Sequence, residues 1–193
     1  MKIATMKLHA ASVRRLLPVL LVLPAFLIAG CSSCKPGKGA GKPKVYTLKV
    51  GPAESLKDSS VEVDVIGIHP SDLERYKTYS IKKYFRAGDL LRQDASKITA
   101  RFVPERQDPL LLKSTDPQWN KWIASGVQYL VIMADLPSVA EEGKAGSQDP
   151  RRQLVPICEC YWPKKAKELG VEIQAGGVRL LTSPRDGWSL PVW

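Results

Sequence analysis

Four cysteines and two histidines are the only strongly nucleophilic or metal-seeking side chains in this 193-residue sequence. Cys31 closes the run Ile28-Ala29-Gly30-Cys31 directly after an apolar stretch. Its sulfur is a nucleophile that can be alkylated. Cys34, Cys158 and Cys160 then form an odd set, which in an oxidising compartment implies one disulfide and one free thiol, or an intermolecular bond. On an extended strand Cys158 and Cys160 would put both sulfurs on one face with Cα atoms about 6.5–7 Å apart, at the limit for a bridge. A partner on a neighbouring segment, or two reduced buried thiols, fits better. A metal site would have only Cys34 and His69 to add to that pair.

Acid–base chemistry is equally thin. His9 lies in the first thirty residues, and His69, between Ile68 and Pro70, is the imidazole left for a triad. No Gly-x-Ser-x-Gly elbow supplies its nucleophile, so a loop residue is the default reading. The glycines of 37–42 lack the preceding strand and the spacing of a phosphate loop, and none of the 19 carboxylates stands out as half of a catalytic pair. The expectation is a non-enzyme with no cofactor, no metal and no small-molecule substrate.

The first thirty residues read as an address. Lys2, Lys7, Arg14 and Arg15 precede the apolar run Leu16–Ile28, which small residues end. Basic, apolar and small, in that order, is the layout of a secretory signal. The run contains two prolines and is shorter than the roughly 20 residues that span a bilayer. Ile28-Ala29-Gly30-Cys31 resembles the lipobox of bacterial lipoproteins. That resemblance implies a diacylglyceryl thioether on Cys31, cleavage before it and an acylated N-terminus, with the lipid as the only prosthetic group. Three acyl chains hold far better than one, which binds marginally. Ser32 rather than Asp after the cysteine points, by the same resemblance, to the outer membrane and a periplasmic domain.

Residues 31–44 read as a flexible tether. Lys35, Lys38, Lys42 and Lys44 alternate with Gly and Pro, too polar to offset the entropy of ordering, with a span of about 20 Å. These lysines suit anionic headgroups at about 1 kcal/mol each, although a solvated spacer is the plainer reading. Without the four bases of residues 1–30, the chain has 25 bases and 19 acids, a net +6. That mild excess favours anionic surfaces and does not call for nucleic acid.

Residues 45–193 read as one domain of short strands. Val45–Val50 is closed by Gly51-Pro52. Val61, Val63 and Val65 alternate with Glu62 and Asp64, which places the valines in a core and the acids in water. Ile98, Ala100 and Phe102 share a face, and Gln128–Asp135 is apolar throughout, a strand buried on both sides. Arg152–Cys160 reads as an edge strand because of Pro156, with Arg151-Arg152 as charges that block edge pairing. Val171–Gln174 and Val178–Thr182 flank Ala175-Gly176-Gly177, a hairpin signal. Helices are expected from Pro70 to Tyr76, at Gly88–Arg92, from Lys164 to Leu169, and from Asp116 to Gly126, where Asp116, Pro117 and Gly126 supply cap, first turn and exit. Tyr79–Phe85 is ambiguous, and 138–150 is a loop. Seven or eight strands with a few small helices make the chain mainly β, a β-sandwich with short helical insertions.

The order of these features resembles the outer-membrane lipoprotein of type VI secretion systems. The likeness is carried by Cys31, Val61–Val65, the aromatic stretch Tyr79–Leu91, and the strand Tyr129–Asp135 with its following loop into Arg151-Arg152. It implies a transthyretin-like sandwich that is not an enzyme. It implies an anchor in the outer membrane, on its periplasmic face, and a grip on the periplasmic domain of an inner-membrane protein. The loop between the first two strands, Gly51–Ser60, would make that contact through Glu54, Leu56 and Lys57. The alternative of a different class is a periplasmic binder or hydrolase of cell-wall glycan. It would use Trp119 and Trp122 as a stacking platform with a carboxylate beside them, although packing of their helix on the sheet is the plainer use of two tryptophans three apart. Trp188 and Trp193 sit in the Pro- and Gly-containing tail.

Overall fold

The computed structural model describes residues 41–136, 139 and 149–187. The expected signal peptide, Cys31, Cys34, most of the expected tether, most of the 138–150 loop, and Trp188 and Trp193 lie outside the described residues. The chain divides into two units, Met1–Cys31 and Ser32–Trp193; everything below concerns the second. No helix among the described residues is long and apolar enough to cross a membrane.

Among the described residues, eight strands form two four-stranded sheets. The first has the order β4-β1-β7-β8, built from Leu110–Leu112, Thr47–Pro52, Glu168–Gln174 and Gly177–Leu180. Strand β1 is parallel to β7 and antiparallel to β4. The second has the order β3-β2-β5-β6, built from Lys97–Phe102, Val61–Ile68, Tyr129–Ala134 and Arg152–Pro156, all antiparallel. Leu48 and Val50 of β1, Val61, Val63 and Val65 of β2, and Leu169, Val171 and Ile173 of β7 fill the space between the sheets. This period-two burial against a facing sheet is what makes the chain a sandwich.

A third layer covers the outer face of the second sheet. Helices α1 (Leu73–Thr78), α2 (Ile81–Tyr84) and α3 (Leu90–Asp94) bury Tyr76, Ile81, Tyr84 and Leu91 against Ile66, Ile68, Val131, Met133 and Leu154. Strand β5 is therefore buried on both faces, as its apolar run requires. The acids of β2 do not both face water as the alternation suggested. Asp64 is 0% exposed, enclosed beneath the helical layer. Alternation shows which residues share a face; whether that face meets solvent depends on what folds over it.

The short helices are fixed locally. Ser80 accepts from Lys83 N and starts α2, which settles the ambiguous Tyr79–Phe85 stretch, and Asp89 accepts from Arg92 N to start α3. Helix α4 (Pro117–Ala124) opens with Asp116 accepting from Gln118 N and closes at Gly126 in the left-handed region, φ 73°. Two expectations are corrected. Residues 164–169 form no helix: a turn bonded Ala166 N to Pro163 O leads straight into β7, because Leu169 already belongs to its buried alternation. Strand β6 stops at Pro156, and Glu159–Tyr161 is a 3-10 turn, so Cys158 and Cys160 do not lie on one extended strand.

Candidate functional site

Strand β1 joins two ends of the sandwich that differ in character. Its Thr47-to-Pro52 run, in parallel register with Glu168 to Ile173, separates them by about 17 Å.

At the loop end, Ala53 N donates to Ile173 O at 2.8 Å and the chain turns through Glu54–Leu56. Leu56 is 5% exposed and belongs to the core between the sheets, so of the three expected contacts it is the one turned inward. It fixes the loop, while Glu54 and Lys57 stand in solvent with their charged groups 3.5 Å apart. Gln107 Nε2 donates to the carbonyls of Lys57 and Ser59, both at 3.4 Å, and braces the loop from the β3–β4 connection. Beside the loop base, Lys49, Pro52, Gln107, Pro109 and Leu181 line a groove of about 410 Å³ on the outer face of the first sheet.

At the other end the described chain begins paired, not free. Lys44 N donates to Ile157 O at 2.8 Å, Glu159 N to Lys42 O at 3.4 Å, and Pro43 bridges Cys158. Gly41 is wedged so closely that a Cβ there would stand 2.5 Å from Cys160 Sγ and 2.6 Å from Cys158 Sγ. Cys160 is disulfide-bonded, and Cys158 is a free, buried thiol. One disulfide with one free thiol is among the divisions that the cysteine count left open.

Trp119 and Trp122 are structural. Trp119 and Trp122 are 1% and 0% exposed and meet edge to face at 5.4 Å between ring centres. Trp119 Nε1 donates to Lys113 O, and Trp122 Nε1 to the carbonyl and hydroxyl of Ser96. A Cβ at Gly67 would overlap the Trp122 indole, so the glycine in β2 exists to admit that ring. A glycan platform built on these two rings is excluded by their burial. His69 accepts from Ser71 N and caps the 3-10 turn Pro70–Asp72. Among the described residues no group of three His, Cys, Asp or Glu side chains could hold a metal ion.

Arg151 and Arg152 do not guard an exposed edge. Arg151 forks onto Asp149 through Nε at 3.0 Å and Nη2 at 2.8 Å, and both are buried. Arg152 reaches into the helical layer, where its guanidinium donates to the carbonyls of Tyr76, Lys77 and Tyr79 and closes the C-terminus of α1. Burial lowers its affinity for the proton, while the helix end favours the cation. Nothing local to Arg152 announces this reach across 76 positions.

The other polar cluster centres on Asp64, which accepts from Tyr84 Oη at 3.0 Å, Arg92 Nε at 2.8 Å and Thr99 Oγ1 at 2.5 Å. Burial pulls the Arg92 pKa down, but its bonds to Asp64 and Glu62 outweigh this and push it up. Burial, reinforced by the Asp64 charge, raises the Tyr84 hydroxyl far above its usual range. The nearby cleft of about 530 Å³ is lined by Arg86, Arg92, Lys97, Arg101 and Arg106 with Glu62 and Asp89. Two of those arginines are already spent on Glu62 and Asp64.

These observations define a mainly β protein, two sheets and a short-helix layer, whose candidate surfaces are its two ends. No protein-family model and no curated protein matches the sequence. Solved structures similar to it include Lip of Serratia marcescens, a membrane-bound component of the type VI secretion system, at 13% identity and TM-score 0.42 over 73% of this chain and 98% of that one. The type VI lipoprotein TssJ1 of Pseudomonas aeruginosa is similar at 13% identity and TM-score 0.41, over 74% and 98%. The C-terminal domain of the type VI protein TssM from EAEC is similar at 10% identity and TM-score 0.46, over 70% and 99%.

Proposed function

We propose that this chain is a lipoprotein of the bacterial envelope, acylated on Cys31, held at the periplasmic face of the outer membrane, and acting as a non-enzymatic assembly component. Its loop end binds the periplasmic domain of an inner-membrane protein in a type VI secretion-like complex. The observation that carries the reading is the polarity of β1. The segment leading back to Cys31 joins the sandwich at one end of this strand, and the Glu54–Lys57 turn opens at the other. A membrane anchor at the first end leaves the second facing away from the bilayer, where a partner from the opposite membrane would arrive. Leu56 holds the turn to the core, so Glu54 and Lys57 are presented with little ordering left to do on binding.

The test is capture from detergent-solubilised envelopes with the acylated chain as bait. A large inner-membrane protein should be recovered, and Glu54→Ala/Lys57→Ala should reduce its recovery about ten-fold. Undiminished recovery by that double variant would sink the loop assignment. An N-terminal peptide without acyl mass would sink the anchor.

A further inference from the structure

We propose that the N-terminal end of the sandwich is itself a membrane contact, a cationic face that takes the phosphate headgroups of anionic lipids. The proposal rests on the anchored reading above for its occupant, and on geometry for the face. Lys42 and Lys44 arrive on the leading segment, which is bonded to Ile157 and Glu159. The turn Pro163–Lys167 brings Lys164, Lys165 and Lys167 to the same end, with Thr47 N donating to Lys167 O at 2.9 Å. Arg185 joins them because its N–H donates to Tyr161 O at 2.8 Å. Three segments distant in sequence thus converge.

All six are solvent-accessible except for Lys44, which is half-buried with its ammonium 5.3 Å over the Tyr46 ring. Among the described residues none of the six makes an ion pair, which leaves their charge available. Glu159, Glu168 and Asp186 are the exposed carboxylates on the same segments, so the face keeps an excess of cations.

Reach identifies the occupant. Ten peptide steps separate Gly41 from Cys31, at most about 35 Å fully extended. A cationic face held that close to a bilayer meets headgroups before any soluble anion.

The experiment is lysine footprinting of the acylated full chain on vesicles, with an amine-acetylating reagent and mass spectrometry of each lysine. Vesicles containing phosphatidylglycerol are compared with pure phosphatidylcholine, and Lys57 at the loop end serves as internal control. Lys42, Lys164, Lys165 and Lys167 should react about three-fold more slowly on the anionic vesicles, and about 1 M salt should abolish the difference. Lys57 should react equally on both. The variant Lys164→Glu/Lys165→Glu/Lys167→Glu should remain vesicle-bound through its acyl chains while Lys42 loses its protection. Equal rates on the two vesicle types, or equal protection on both, would overturn the headgroup contact. The mass of the N-terminal peptide from the same digest reports acylation separately, so failure of the anchor and failure of the face are read from different signals.

Discussion

Asp64 and Arg92 meet at 2.8 Å beneath the helical layer, 28 residues apart in sequence, the carboxylate fully enclosed and the guanidinium about one-fifth exposed. Arg92 stacks on Phe85 at 4.7 Å and also reaches Glu62 at 3.1 Å. This pair fastens α3 to β2 and so registers the insertion on the sheet. Arg92→Met should cost about 3 kcal/mol in urea unfolding, because it strands a buried carboxylate on two neutral donors. Combining it with Asp64→Asn should cost less than the sum of the single changes, a coupling that a double-mutant cycle measures.

The loop end separates structure from recognition. Leu56→Ala should lower stability by about 2–3 kcal/mol through loss of a buried side chain. Glu54→Lys/Lys57→Glu should leave the unfolding midpoint unchanged to within about 0.5 kcal/mol, since the exposed pair contributes little. Denaturation curves of the two variants check this split.

Trp119→Ala should cost about 3–5 kcal/mol, the range for removing a buried aromatic. Sedimentation with purified peptidoglycan should not respond to this change in folded protein. A selective loss of binding at unchanged stability would revive the glycan alternative.

Cys158 is 1% exposed, so a maleimide should label it slowly in the native chain and fully in denaturant. Rapid native labelling would mean that the 41–44 segment opens readily over the two sulfurs.

Alkali should unfold the domain through its buried phenols. Burial raises Tyr76 from 10.0 to about 12, opposed in part by Arg75 and aided by Asp72. The folded state therefore holds its proton more tightly than the unfolded chain. Stability is fully present below pH 10 and is lost as the pH rises towards 12, by about 2 kcal/mol for this group. Tyr76→Phe should flatten the fall of the urea midpoint across that window.

Much of the architecture was legible because it is local. The valines of β2, the all-apolar β5, the Asp116–Gly126 helix with its cap and exit, and the β7–β8 hairpin each carry their own signal within a dozen residues. Of the expected contacts at the loop, Glu54 and Lys57 are exposed while Leu56 is buried, since a lone leucine in a polar turn does not declare its direction. The Asp64 cluster was hidden for a related reason. Ile66 and Ile68 continue the face that carries Glu62 and Asp64, a sign that this face is covered, but an alternating acid reads as solvated.

The sequence by itself determined the mainly β class, the capped Asp116–Gly126 helix, and an odd set of three cysteines after Cys31. Those follow from period, capping chemistry and parity. Only the tertiary structure decided that Asp64 is enclosed, that Arg152 closes α1 rather than guarding an edge, and that Lys42, Lys164 and Arg185 share one end of the sandwich. Each of these depends on which distant segment folds against a face, and the pattern along one strand holds no record of that partner.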